Sequence, residues 1–193
     1  GNRFDKKMVA FYWSLKKNDI MRYDRMSRSL YLMNKNPDRT VKATLAAGKD
    51  PGTTDVILDV EAKPPYHATS SYDREGTVST GLDRWSFGAR NNNFLLCDDS
   101  LIAGYTFSKH SSGIYGYHSI PISAKGTSVM YGYSYSAADP KKEFSELGLH
   151  SRSSNASVYV HQDIFRKADY FGEVYTGMDF SDKNSWVNDG TTN

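Results

Sequence analysis

The stretch "SVMYGYSYS", residues 128–136, alternates between two kinds of side chain. Because successive side chains on a β-strand point to opposite faces, this pattern predicts a strand with one aromatic face. The aromatic stripe consists of Val129, Tyr131, Tyr133 and Tyr135. The small or polar side consists of Ser128, Met130, Gly132 and Ser134. The stripe is expected to face lipid, to contact a ligand or to pack in a protein core.

The composition favours surfaces where an apolar and an aqueous environment meet. The chain has 193 residues, and its 14 Tyr outnumber the 9 Phe and 3 Trp together. Tyrosine combines an apolar ring with a polar hydroxyl, which suits such surfaces. A net charge of +2 argues against nucleic acid as a partner, and the single cysteine, Cys97, excludes an internal disulfide. No apolar run approaches the ~18 residues of a membrane-spanning helix.

Residues 1–65 have a mixed α/β pattern. Two helices are predicted, one before residue 16 and one after Asp24, which is a candidate N-cap, because apolar residues recur at helical spacing. These residues are Met8, Phe11, Tyr12 and Leu15 in the first helix and Met26, Leu30 and Met33 on one face of the second. Pro37 then favours a turn. Two short strands, about Val41–Leu45 and Asp55–Val60, follow, and "KPP" at residues 63–65 predicts a stiff linker. This part forms the first predicted domain, 1–65.

Residues 66–193 form the second predicted domain, an antiparallel β-meander of about eight strands. The candidate strands are 67–73, 78–89, 100–109, 112–122, 127–136, 146–151, 156–165 and 168–180. Polar stretches between them, among them "NNN", "CDD" and "RSSN", are the expected solvated turns. Most of them exceed the ~5–6 residues common in soluble sheets and approach the ~9–11 that cross a bilayer at a tilt. The pattern alone leaves two classes open, a membrane barrel and a soluble sandwich or solenoid.

The stretch "YDRMSRSLYLMNKNPDRTVKATLAAGKDPGTTDVILDVEAKPP", residues 23–65, resembles the second half of a POTRA domain. The domain type is that of the two-partner secretion outer-membrane transporters, the ShlB/FhaC/HecB or TpsB-like family. The most specific part is the connector "GKDPGTTD" between two strands. Further on, "SYDREGTVSTG", "CDDSLIAGYTFS" and "YGYHSIPISAKGTSVMYGYSYS" resemble the first barrel strands of that family. The resemblance covers about residues 5–186.

The resemblance implies a partial POTRA domain followed by the first half of a β-barrel of the transporter. A complete POTRA domain is β-α-α-β-β, and its opening strand is missing or shortened here. The implied location is the bacterial outer membrane, with the N-terminal part in the periplasm. The implied function is secretion or activation of a haemolysin- or adhesin-type partner. Expected partners are the unfolded secreted protein, outer-membrane lipid and a second copy of the chain through free sheet edges.

Enzyme chemistry is not expected. The five histidines show no metal-like pairing in sequence, so neither a metal nor a cofactor is predicted. Asp98 and Asp99 are neighbours whose side chains should point apart, and they disfavour a thiolate at Cys97. No serine lies in a G-x-S-x-G motif. The sequence therefore predicts no catalytic residue.

The predicted client site is an edge strand, because an extended polypeptide can pair with its free backbone groups. The strand consists of Val41, Lys42, Ala43, Thr44 and Leu45, and the groove rim consists of Arg28, Tyr31 and Lys35. The plainer interpretation is an ordinary strand with one core-facing side. The alternative function for the whole chain is a soluble all-β binding or structural module with Tyr-rich strands.

Overall fold

The structure is a computed structural model that describes residues 3–141, 148–166 and 170–187. The helices are α1 (Arg3–Tyr12) and α2 (Tyr23–Met33). The strands are β1 (Arg39–Ala47), β2 (Thr54–Ala62), β3 (Tyr66–Asp73), β4 (Arg84–Asn91), β5 (Ser100–Ser108), β6 (Ser111–Ser123), β7 (Thr127–Ala138), β8 (Leu149–Arg166) and β9 (Phe171–Val187). The predicted fold class, mainly β with a small N-terminal α/β part, is confirmed. Neither described helix has the length and apolarity to cross a membrane.

The N-terminal part packs two helices on a two-stranded antiparallel sheet. Its buried core consists of Met8, Tyr12, Leu32, Met33 and Val41. Of the residues predicted at helical spacing, Met8, Tyr12, Met26 and Met33 are buried, whereas Phe11 is 42% exposed. The predicted N-cap was wrong by two residues, since the cap is Arg22 and Asp24 lies in the first turn of α2. A carboxylate there still interacts favourably with the helix dipole.

The second sheet is a meander in which β3 to β9 pair in sequence order, each antiparallel to the next. It has seven described strands, whereas about eight were predicted. The predicted "RSSN" turn is wrong, because β8 runs through it as one strand of 18 residues. Ser153 pairs there with Ser136 of β7 and with Lys183 of β9, so the ladder is continuous on both sides of β8. The candidate positions 146–147 and 168–169 lie outside the described residues.

One further predicted boundary differs. The strand expected over 78–89 begins only at Arg84, because residues 77–83 form a turn. Gly81 adopts a φ of 109°, which is open to glycine and strained for other residues. Its N–H donates to the Thr77 carbonyl at 2.8 Å. The tight turn therefore includes residues that the alternating pattern alone had assigned to a strand.

The two faces of the seven-stranded sheet differ in polarity. Phe87, Tyr105, Ile114 and Tyr135 are cross-strand partners and form one row of side chains across β4 to β7. The neighbouring row, on the other face, is Ser86, Thr106, Gly113 and Ser136. The sheet therefore has an apolar face and a polar face, as the alternating pattern predicted for β7.

The tyrosine stripe of β7 lies on the apolar face, together with Val158 and Met178 of the next two strands. The exposed fractions of Tyr131, Tyr133 and Tyr135 are 45%, 51% and 39%. Such exposure differs from the enclosed core of a sandwich, where inner side chains interdigitate. The described residues therefore give no support to the soluble sandwich alternative.

Candidate functional site

The predicted client strand lies in β1, which pairs with β2 on one side. Among the described residues no strand pairs with its other side. The Lys63 N–H donates to the Asp38 carbonyl and the Gly48 N–H to the Thr53 carbonyl, which fixes the alternation of the ladder. Even-numbered residues of β1 therefore bond to β2, and odd-numbered ones point their backbone groups outward. The backbone N–H and C=O groups of Lys42 and Thr44 therefore point toward β2.

One outward position is already occupied by a side chain. The Asn34 amide nitrogen donates to the Val41 carbonyl at 3.0 Å, and its oxygen accepts from the Val41 N–H at 2.7 Å. A single amide thus satisfies both backbone groups as a neighbouring strand would. This leaves Ala43 and Leu45 as the outward positions of the predicted segment that no described strand pairs with.

Two of the three residues predicted for the groove rim contact the seven-stranded sheet. Arg28 donates to the carbonyls of Lys125 and Asp163, at 2.9 and 3.2 Å, and Lys35 pairs with the Asp163 carboxylate at 2.6 Å. Arg28 of α2 and Lys35, just after it, therefore join the N-terminal part to the β6–β7 turn and to β8. The Lys35 ammonium also lies 5.4 Å from the centre of the Tyr31 ring. The sequence could not identify the surface that lies opposite these residues.

The connector between β4 and β5, residues 92–99, is a joint between the two parts of the chain. Arg39 of β1 makes a bidentate pair with Asp98, at 2.8 and 2.9 Å, and the two side chains are only 3% and 7% exposed. The Arg39 guanidinium also donates to the Met33 carbonyl at the end of α2. Burial, with Asp98 beside it, raises the pKa of Tyr12. The Arg39–Asp98 ion pair and its hydrogen bonds are shielded from water, so removing either partner lowers the free energy of unfolding.

A second contact of the joint involves Asp38. It accepts hydrogen bonds from His67 of β3 at 2.9 Å and from Asn92 of the connector at 2.7 Å. Burial raises the pKa of Asp38, but these two hydrogen bonds outweigh it and leave the pKa below its ordinary value. Asn36 extends the contact by donating to the Asn92 carbonyl. The joint is therefore polar and hydrogen-bonded on both sides of the linker.

Asp99 anchors the same connector to the sheet. Its buried carboxylate lies 2.6 Å from His118 Nε2, and His118 Nδ1 lies 2.8 Å from the Tyr131 hydroxyl. Burial raises the pKa of Asp99, but bonds from His118 and the Leu95 N–H outweigh it and keep it low. Burial and the nearby Asp99 raise the pKa of the Cys97 thiol, which disfavours the reactive thiolate. The geometry thus positions a connector and provides no activated cysteine.

A cluster that sequence reasoning missed lies at the end of β8 and β9. His161, Asp163 and Glu173 bring one nitrogen and two carboxylates within 4.8 Å of one another. The sequence feature that could have indicated the cluster is "HQD", residues 161–163, because residues at i and i+2 of a strand share a face. Glu173 could be placed beside them only once the pairing of Asp163 with Glu173 was known.

Residues 52–191 match the model of the family described as "Haemolysin secretion/activation protein ShlB/FhaC/HecB". A curated relative, outer membrane transporter CdiB-2 of Burkholderia pseudomallei (strain 1026b), is 25% identical over 107 residues, which are 53% of this chain and 18% of the relative.

Two solved structures have a similar fold. CdiB from Escherichia coli has a TM-score of 0.78 at 17% identity, covering 95% of this chain and 35% of that one. BamA from Haemophilus ducreyi lacking POTRA domains 1–3 has a TM-score of 0.55 at 10% identity, covering 93% of this chain and 40% of that one. The chain therefore spans well under half the length of these relatives.

Proposed function

Because the chain belongs to the haemolysin secretion/activation family ShlB/FhaC/HecB, we propose that it forms part of an outer-membrane transporter that secretes or activates a partner protein. The observation that carries this proposal is the division of the seven-stranded sheet into an apolar and a polar face. A sheet that crosses a bilayer needs lipid on one side and a polar lumen on the other.

In this proposal residues 66–193 lie in the outer membrane and residues 1–65 in the periplasm. The exposed tyrosines of β7 then face lipid or headgroups, where amphipathic rings are favoured. The serines and glycines on the opposite face line the lumen. Transport of this kind requires no catalytic residue and no cofactor.

The test compares two neighbouring positions of β7. In a background where Cys97 is replaced by serine, Tyr133→Cys and Ser134→Cys are labelled with an environment-sensitive fluorophore, and the chain is inserted into phospholipid vesicles. We expect the label at 133 to be quenched by lipid-attached nitroxides and the label at 134 by aqueous iodide, because adjacent side chains point to opposite faces. Equal quenching at both positions would contradict a bilayer-spanning sheet.

The client is proposed to pair with the outer side of β1 in extended form. Ala43 and Leu45 support this, because their backbone groups point away from β2. Leu45 is also 50% exposed, so a partner strand would cover apolar surface. Arg28 and Lys35 do not contribute to the proposed groove, since both contact the seven-stranded sheet.

A pair of proline variants tests this edge. Ala43→Pro removes an outward N–H and is expected to abolish the pairing of an extended client peptide while the fold is kept. Lys42→Pro is the control: it removes a ladder bond to β2 and is expected to lower the free energy of unfolding. Peptide affinity is measured by fluorescence anisotropy and folding by circular dichroism. Unchanged affinity in a folded Ala43→Pro chain would remove β1 from the proposal.

Free sheet edges also support self-association of the isolated chain. β3 and β9 are the outer strands of the described seven-stranded sheet, and each pairs with one neighbour. Unpaired N–H and C=O groups at such edges are ready partners for another copy. The apolar face strengthens this tendency in the absence of lipid or detergent.

A further inference from the structure

The end of β8 and β9 nearest α2 carries a histidine nitrogen with no hydrogen-bond partner. His161 Nε2 is fully buried as an atom, and its side chain is 15% exposed. It lies 3.5 Å from a Glu173 oxygen and 3.8 Å from an Asp163 oxygen. These separations exceed the ~2.7–2.9 Å of a charge-assisted hydrogen bond. A buried polar atom without a partner is costly, so its surroundings need an explanation.

The separations fit a shared metal ion better than a direct bond. Ligands at ~2.0–2.2 Å from a tetrahedral zinc ion lie about 3.4 Å from one another. The two distances from His161 Nε2 are close to that value. We propose that His161 Nε2, Asp163 Oδ1 and Glu173 Oε2 bind a divalent transition-metal ion, of which Zn²⁺ suits this nitrogen and oxygen set, with water completing the coordination.

Each proposed ligand is held by an outer partner. His161 Nδ1 lies 3.3 Å from the Ser128 hydroxyl. The Tyr175 hydroxyl donates to Glu173 at 3.0 Å, and its ring packs against the His161 ring at 4.5 Å. Such outer-shell bonds fix the orientation of ligands in metal sites. The three side chains are therefore oriented before any ion binds.

The local charge also suits a divalent cation. Asp163 and Glu173 supply two negative charges, and Lys35 neutralises part of them through the other Asp163 oxygen, Oδ2. That bond leaves Oδ1 directed toward His161. Because Lys35 lies in the turn just after α2, a bound ion would stiffen the contact between the N-terminal part and the sheet. This role is independent of which partner protein is transported.

The test is zinc calorimetry on the chain folded in detergent micelles, with Mg²⁺ as a comparison ion. We expect one Zn²⁺ per chain, loss of binding in His161→Gln and Glu173→Gln, and about 10-fold weaker binding in Tyr175→Phe. The matched control is His150→Gln. His150 also contacts a carboxylate, Asp139, but Arg152 occupies the same oxygen, so this variant should bind zinc like the parent chain.

A spectroscopic measurement on the unaltered chain guards against variants that fail to fold. X-ray absorption of the zinc-loaded protein should show a single imidazole among nitrogen and oxygen ligands. Absence of stoichiometric binding, equal affinity for Mg²⁺, binding that persists in a folded His161→Gln chain, or a coordination shell without imidazole would each overturn the site.

Discussion

Replacing Arg39 with alanine is expected to destabilise the chain by about 3–5 kcal/mol, the cost of leaving a buried charge unpaired. Arg39 and Asp98 are 3% and 7% exposed, and they join β1 to the β4–β5 connector. The variant also loses the bond from Arg39 to the Met33 carbonyl. Denaturant unfolding, followed by tryptophan fluorescence, measures the loss. Hydrogen exchange should localise it to residues 92–99 and β1.

Two further variants separate charge from packing. Arg39→Met keeps most of the side-chain volume but leaves the buried Asp98 carboxylate without a partner, so it should be nearly as unstable as the alanine variant. Adding Asp98→Leu to Arg39→Met removes this unpaired buried charge and should restore part of the stability. The exposed pair of Arg22 and Asp24 serves as the control, since Arg22→Ala should leave the unfolding midpoint unchanged. A midpoint for Arg39→Ala equal to this control would show that the joint does not depend on the ion pair.

The architecture could be read from sequence because it depends on local periodicity. Alternation in β7 placed Tyr131 and Tyr133 on one face, and helical spacing placed Met33 in the core. Both patterns are visible within a dozen residues. They identify which side of an element is apolar without reference to any other part of the chain.

The joint could not be read in this way. Arg39 and Asp98 are 59 residues apart, and "NNN" and "CDD" were interpreted as solvated turns, which is the usual fate of such residues. Arg28 and Lys35 illustrate the same limit, since they were predicted to rim a groove while the sheet they contact was not predicted. Two strand bounds also differed from the prediction. The turn at Gly81 makes one predicted strand shorter, and the serine-rich centre of β8 is strand where a turn was predicted.

The second large effect is expected at the apolar face. Tyr133→Arg places a charge at the centre of β7, on the side proposed to face lipid, where arginine costs about 2–4 kcal/mol at the bilayer midplane. Ser134→Arg is the matched control, because its side chain points to the polar face proposed to line the lumen. Both variants add the same residue to the same strand, one position apart.

The comparison is made by measuring the folded fraction in phospholipid vesicles against urea. Tyr133→Arg should shift the folding midpoint strongly toward low urea, and Ser134→Arg should shift it little, because a lumenal guanidinium keeps its water. In a soluble sheet both arginines would extend into solvent and the two midpoints would be alike. A larger loss at Ser134 than at Tyr133 would place lipid on the other face, and the side-chain pattern of "SVMYGYSYS" would then have to be explained by packing instead.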